Sequence, residues 1–272
     1  MKFTKYILIA TIFSFILSPV TAQEVGFKEL AVAENLSVEA RLAKKVSLTQ
    51  NALGKAIEKT NEMRTKLGEL VFEEGSLEDV MKNEFWAQAN QHLEFYEAHL
   101  NTLSSLQSLE QVDALIEEII QYRENTYAPE AKKILEYLLI FSYTPSVIET
   151  ATDRLEKIAA DMNKLHNLEL VEEGHFAEAS QEAQDLLSQA QELSNQSREL
   201  LIKRFYETQI ELTVLEQVEI ATSTDTLEGE LQPHEPKGLT EASLNKVKDL
   251  YALFLQTSQQ IEQALGIQKN QE

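Results

Sequence analysis

The sequence predicts an all-α fold: an elongated antiparallel helical bundle with long coiled-coil-like hairpins. Three observations predict it. Eight glycines and five prolines in 272 residues are too few for the many turns of a β-sandwich or barrel. Glu, Gln, Leu, Ala and Lys dominate the chain, and all are good helix formers. Apolar residues recur at alternating steps of three and four over long stretches, which is the spacing of a helix seam.

The first 22 residues are expected to be a cleaved secretory signal. Lys2 and Lys5 give a positive start, Tyr6 to Leu17 is apolar, Ser18-Pro19 breaks the run, and Ala22 ends a stretch of small residues. The run is shorter than the roughly 20 residues of a membrane span. The mature chain is therefore expected to work outside the cytoplasm, in the periplasm or secreted, with no stable membrane anchor. The expected organisation is signal 1–22, helical bundle 23–222, linker 223–239 and a C-terminal amphipathic helix 240–267 that docks on the bundle.

Helix one is expected from about Phe27 to Val71, with a heptad seam of Leu42, Val46, Thr49, Leu53, Ala56, Thr60, Met63, Leu67 and Leu70. Gly75 supplies a left-handed stop, and Ser76-Leu77-Glu78-Asp79 a capping box for helix two. Helix two, about 77–106, carries Trp86, Ala89, Leu93, Tyr96, Leu100 and Leu103 on its seam, and the short connection favours an antiparallel hairpin. A shorter, greasier middle follows. Val112, Leu115, Ile116, Ile119 and Ile120 give 109–124 a broad apolar face. Pro129 is expected to start a new helix, and Ile134 to Tyr143 is apolar nearly all round, the pattern of a buried helix.

Thr144-Pro145 is expected to cap and start the next helix, with Ile148, Ala151, Leu155, Ile158, Met162 and Leu165 on its seam and an end near Glu172-Glu173-Gly174. A long helix follows over about 176–222, with Ala183, Leu186, Ala190, Leu193, Ser197, Leu201 and Phe205 among its seam residues. Ala221 to Gly238 holds Pro233, Pro236 and little apolar content, so it reads as the linker. Thr240 then opens the last helix. Its stripe of Leu244, Val247, Tyr251, Phe254, Ile261 and Leu265 is the candidate interaction surface. The segment Gly174-His-Phe176-Ala-Glu-Ala179 resembles the glycine–aromatic–alanine turn of tetratricopeptide repeats over six residues. The period of about 34 residues that defines that family does not recur along the chain, and two similarly capped hairpin turns account for the likeness.

Charge narrows the function classes. Without Lys2 and Lys5 the chain carries 22 basic and 45 acidic residues, a net charge of −23. Such a surface repels phosphate backbones, so no nucleic-acid partner is expected. There is no cysteine, which excludes disulfides, thiol catalysis and thiolate metal sites. No phosphate-binding glycine loop, G-x-S-x-G, H-E-x-x-H or calcium-loop motif occurs. A di-iron bundle needs two Glu-x-x-His pairs, and only Glu172-x-x-His175 fits. The remaining candidate is a weak ligand cluster on helix two: Trp86, His92, Tyr96 and His99, the last three at i, i+4 and i+7.

These readings lead to an exported non-enzymatic helical interaction or scaffold protein, acting by helix-to-helix docking on another protein or on itself. No catalytic residue, metal or cofactor is expected. Two alternatives stand beside it. One is a secreted α-helical toxin or effector that acts on membranes, which the 134–143 segment allows. The other is a small-molecule-binding bundle centred on the helix-two cluster.

Overall fold

The computed structural model describes residues 37–171, 176–215 and 235–264. The signal segment 1–22, linker residues 223–234, the Glu172/His175 pair and Leu265 lie outside them. Among the described residues the secondary structure is helical, with no strand. The elements are α1 (Val38–Glu69), α2 (Leu77–Leu103), α3 (Leu109–Tyr122), α4 (Ala128–Leu138), α5 (Thr144–Asn167), α6 (Ala177–Leu215) and α7 (Pro236–Ala264).

The expected breaks between α3, α4 and α5 do not occur. Two π turns, Arg123–Tyr127 and Leu139–Tyr143, join the three segments into one helix of 59 residues. Each turn is closed by an N–H reaching back five residues, Ala128 to the Arg123 carbonyl and Thr144 to the Leu139 carbonyl. In both cases the next residue is a proline, Pro129 and Pro145. A proline inside an α-helix lacks its N–H and strikes the carbonyl four residues back. A wide turn just before the ring relieves that clash without ending the helix. Thr144 is thus no N-cap: its backbone is helical, and its hydroxyl donates to the Leu139 carbonyl at 2.8 Å.

Three other boundaries move for local reasons. Helix α5 ends at Asn167, before the expected glycine. Leu170 N–H bonds the Leu165 carbonyl and Glu169 N–H the His166 carbonyl, the hydrogen-bond pair of a Schellman stop. Glu169 takes the left-handed conformation there, at φ 58°. Helix α7 begins at Pro236 rather than Thr240, with Leu239 N–H on the Glu235 carbonyl. Proline is well suited to a first helical position, and Thr240 becomes a buried residue one turn in. The start of α2 follows the sequence reading: Gly75 has φ +77°, and Ser76 Oγ accepts the Asp79 N–H at 3.2 Å.

The chain divides into two compact units. Unit 1 contains 37–68 and 84–132. Within it Lys45 of α1 pairs with Asp113 of α3, and Thr60 lies against Tyr127, so α1 and α3 run in the same direction. His99 faces Glu118 while His92 faces Tyr122, so α2 runs against α3. The buried residues of α1 are Thr49, Leu53, Thr60, Met63 and Leu67, all members of the heptad seam. The two buried threonines donate to carbonyls one turn back, Lys45 and Ala56, which satisfies hydroxyls that an apolar seam could not.

Unit 2 contains 69–83, 133–171, 176–215 and 235–264. Helices α5, α6 and α7 form an antiparallel three-helix core of Ile148, Ala151, Ala183, Leu187, Ala190, Val247, Leu250 and Phe254. Among the described residues the α6–α7 crossing is the most extensive helix contact. Small residues line it, which lets the two backbones approach closely. Ser197 Oγ is 2.6 Å from the Pro236 carbonyl and 2.7 Å from Thr240 Oγ1, and Ser243 donates to the Ala190 carbonyl at 2.7 Å. The greasy segment is packed inside this unit. Ile134, Tyr137, Leu138, Leu139, Ile140 and Phe141 are buried, Tyr137 donates to the Glu78 carbonyl at 2.9 Å, and Arg198 lies over the Phe141 ring. Among the described residues no helix is long and apolar enough to cross a membrane.

Candidate functional site

The helix-two cluster divides in two. Helix α2 buries Phe85, Ala89, His92, Leu93 and Tyr96 in unit 1. Ala89, Leu93, Tyr96 and Leu103 of the expected seam are buried, and the face departs from it at Trp86 and His92. Phe85 takes the inward place expected of Trp86, and His92, expected on the flank, is 1% exposed. Trp86 points outward and is 46% exposed. His99 lies between, its Nδ1 2.8 Å from the Phe95 carbonyl and its Nε2 3.2 Å from Glu118.

Around His92 the structure gathers residues that periodicity on α2 alone does not reveal. Nδ1 lies 2.7 Å from the Tyr122 hydroxyl. Nε2 lies 3.1 Å from a Glu130 carboxylate oxygen, yet makes no well-directed hydrogen bond. The Tyr127 ring stands edge-on to the imidazole at 5.0 Å between centroids, and Tyr96 stands edge-on to both Tyr122 and Tyr127. Phe95 stacks on Tyr122 with ring centroids 3.5 Å apart. Tyr122 and Tyr127 are five residues apart, which on a regular α-helix would set them about 140° apart around the axis. The π turn between them brings both rings to the side that meets α2. Ala128-Pro129 is the sequence signal that could have located it.

Burial governs the chemistry of this cluster. It pushes His92 down to about 4, so the imidazole is neutral at physiological pH. It pushes the Tyr96 phenol well above its ordinary range and that of Tyr122 up to about 12. Tyr127 is raised for the same reason. The result is a closed, neutral hydrogen-bonded network. A general base must touch its substrate, and His92 is sealed from solvent in this conformation. Among the described residues no group of three or more metal-binding side chains is assembled.

The C-terminal stripe is occupied by the chain itself. Leu244, Val247 and Phe254 are buried, and Val247 and Phe254 belong to the core of unit 2. Tyr251 is partly buried against the same core, with Arg154 of α5 over its ring at 5.4 Å. Ile261 is half-buried. A crevice of about 10 Å³ lined by Leu155, Ile158, Met162, Leu253, Phe254 and Thr257 has room for about one water.

Comparison with known proteins brings no likeness to bear: no family model, no curated protein and no solved structure matches this chain.

Proposed function

We propose that this chain is an exported, non-enzymatic helical interaction protein of the cell envelope or secreted fraction, docking helix-to-helix on another protein. The observation that carries the reading is Trp86. It is the only tryptophan of the chain, and α2 holds it outward while Phe85 and Ala89 beside it are buried. Tryptophan is the residue type most enriched among the few side chains that dominate binding energy at protein interfaces. Its rigid ring offers a large apolar area with one N–H donor. The signal-like segment and the net charge of −23 on the mature chain support work outside the cytoplasm on a protein rather than on a nucleic acid. The stripe on α7 is spent inside unit 2, so the docking face is sought on α2.

In-cell crosslinking of the tagged full chain tests this. The wild type should capture one dominant partner, and Trp86→Ala should cut that capture by about tenfold or more, the loss typical of a central interface tryptophan. Far-UV circular dichroism should be the same for both. Capture that survives the substitution unchanged would overturn the reading.

A further inference from the structure

We propose that the contacts of His92 with Tyr122 and Glu130 form an acid-operated latch that holds the π turn Arg123–Tyr127 against α2 within unit 1. Tyr122 immediately precedes that turn and Glu130 follows it by three residues. One imidazole therefore stands between both ends of the only wide turn in unit 1's described residues, hydrogen-bonded to Tyr122 at 2.7 Å on one side and 3.1 Å from the Glu130 carboxylate on the other. Wide turns of this kind are frequent at functional sites.

A neutral ring satisfies the arrangement in one way. The Tyr122 hydroxyl donates to Nδ1, and the single ring N–H on Nε2 faces the Glu130 carboxylate. Protonation puts a second N–H on Nδ1, so the Tyr122 hydroxyl must give up its role as donor to His92. The new positive charge is also buried. Among the described residues Glu130 is the acidic group paired with the ring, and its side chain is 32% exposed and poorly aligned with Nε2. From the other elements packed here, Arg123 in the π turn acts electrostatically on Tyr96 and Tyr127, and Lys59 of α1 acts on Tyr127. Both are cations, set beside the tyrosines that pack on His92. Thr60 of α1 is neutral, 3.5 Å from the Tyr127 hydroxyl. His99 lies two turns along α2 and faces Glu118, not the latch.

The direction of the pH effect follows from the burial of His92, which holds its pKa near 4 when the latch is closed, against an ordinary value near 6.5 when the ring is solvated. The closed form binds fewer protons than the open one between these values. Closure is therefore complete in effect above pH 6.5 and is lost as pH falls toward 4. Two pH units below 6.5, the closed-to-open ratio is reduced by about 100-fold.

Hydrogen–deuterium exchange of the full chain between pH 7 and pH 4.5, corrected for the intrinsic exchange rate, reads the latch directly. Amides over 119–131 should lose about 100-fold in protection while those of α6 and α7 keep theirs. In His92→Gln, which cannot gain a proton, the 119–131 amides should show no such loss. NMR titration of the wild type supplies a reading that needs no variant: the His92 ring should stay neutral down to about pH 5 in the folded protein. A His92 ring that titrates near 6.5 with unit 1 intact would overturn the proposal. So would equal acid sensitivity in His92→Gln, or a parallel loss of protection across both units.

Discussion

Leu250 and Leu255 sit five residues apart on α7, and the structure assigns them opposite fates. Leu250 is fully buried in the core that Ile148, Ala151, Ala190, Val247 and Phe254 build, whereas Leu255 is 55% exposed. Leu250→Ala removes three carbon groups from a site with no access to water. At about 0.8 kcal/mol for each buried methylene the transfer loss alone is about 2.4 kcal/mol. The void left between three helices adds to it, and fully buried leucines cost about 3–5 kcal/mol in total. Leu255→Ala should cost no more than about 0.5 kcal/mol. Urea unfolding of the full chain, followed by far-UV circular dichroism, measures both. The expected result is a clear drop in midpoint for Leu250→Ala with little change in slope, and near-identity with the wild type for Leu255→Ala. A cost below about 1 kcal/mol at Leu250 would refute the packing of α7 into unit 2 and return its apolar stripe to the list of free docking surfaces.

Two further outcomes follow from the same geometry. Glu169 sits at φ 58° in the stop that ends α5, where a side chain costs about 1 kcal/mol and glycine costs little; Glu169→Gly should raise the unfolding free energy by about 0.5–1 kcal/mol, and a destabilised variant would contradict the assigned backbone. At alkaline pH the phenols of Tyr96, Tyr122, Tyr127 and Tyr137, all pushed upward by burial, should stay neutral in the folded protein above pH 10, where an unfolded chain ionises. Their contribution is fully present below pH 10 and is lost as pH rises toward the folded values, about 12 for Tyr122. Absorbance titration should therefore show these four phenolates appearing together with loss of helicity, and free ionisation near pH 10 with helicity intact would contradict their burial.

How far the sequence reached is clearest element by element. The α1 seam was legible because one helix face repeats at seven residues, and Thr49, Leu53, Thr60, Met63 and Leu67 are the buried face. The Gly75 turn and Ser76 cap were legible because both are local backbone chemistry. Prolines misled where their context was helical on both sides: Pro129 and Pro145 read as helix starts, but a π turn before each lets the helix continue. On α2 the heptad count placed Trp86 inward. The buried face also includes His92, because Tyr122 on α3 is a hydrogen-bond partner for its Nδ1 and Glu130 on α4 lies 3.1 Å from its Nε2, and nothing on α2 alone encodes those neighbours. The stripe on α7 was legible as an amphipathic face, but a stripe does not say whether its cover is another molecule or the same chain. Here α5 and α6 cover it.

The most direct test of the account is collisional quenching of the fluorescence of Trp86, the one tryptophan of the chain. In the free protein acrylamide should quench it efficiently, as its outward, half-exposed setting on α2 requires. In the purified crosslinked complex the same ring should be shielded and its emission shifted to shorter wavelength. A tryptophan that is equally open in the complex would contradict docking through this face, and one already shielded in the free chain would contradict the face itself.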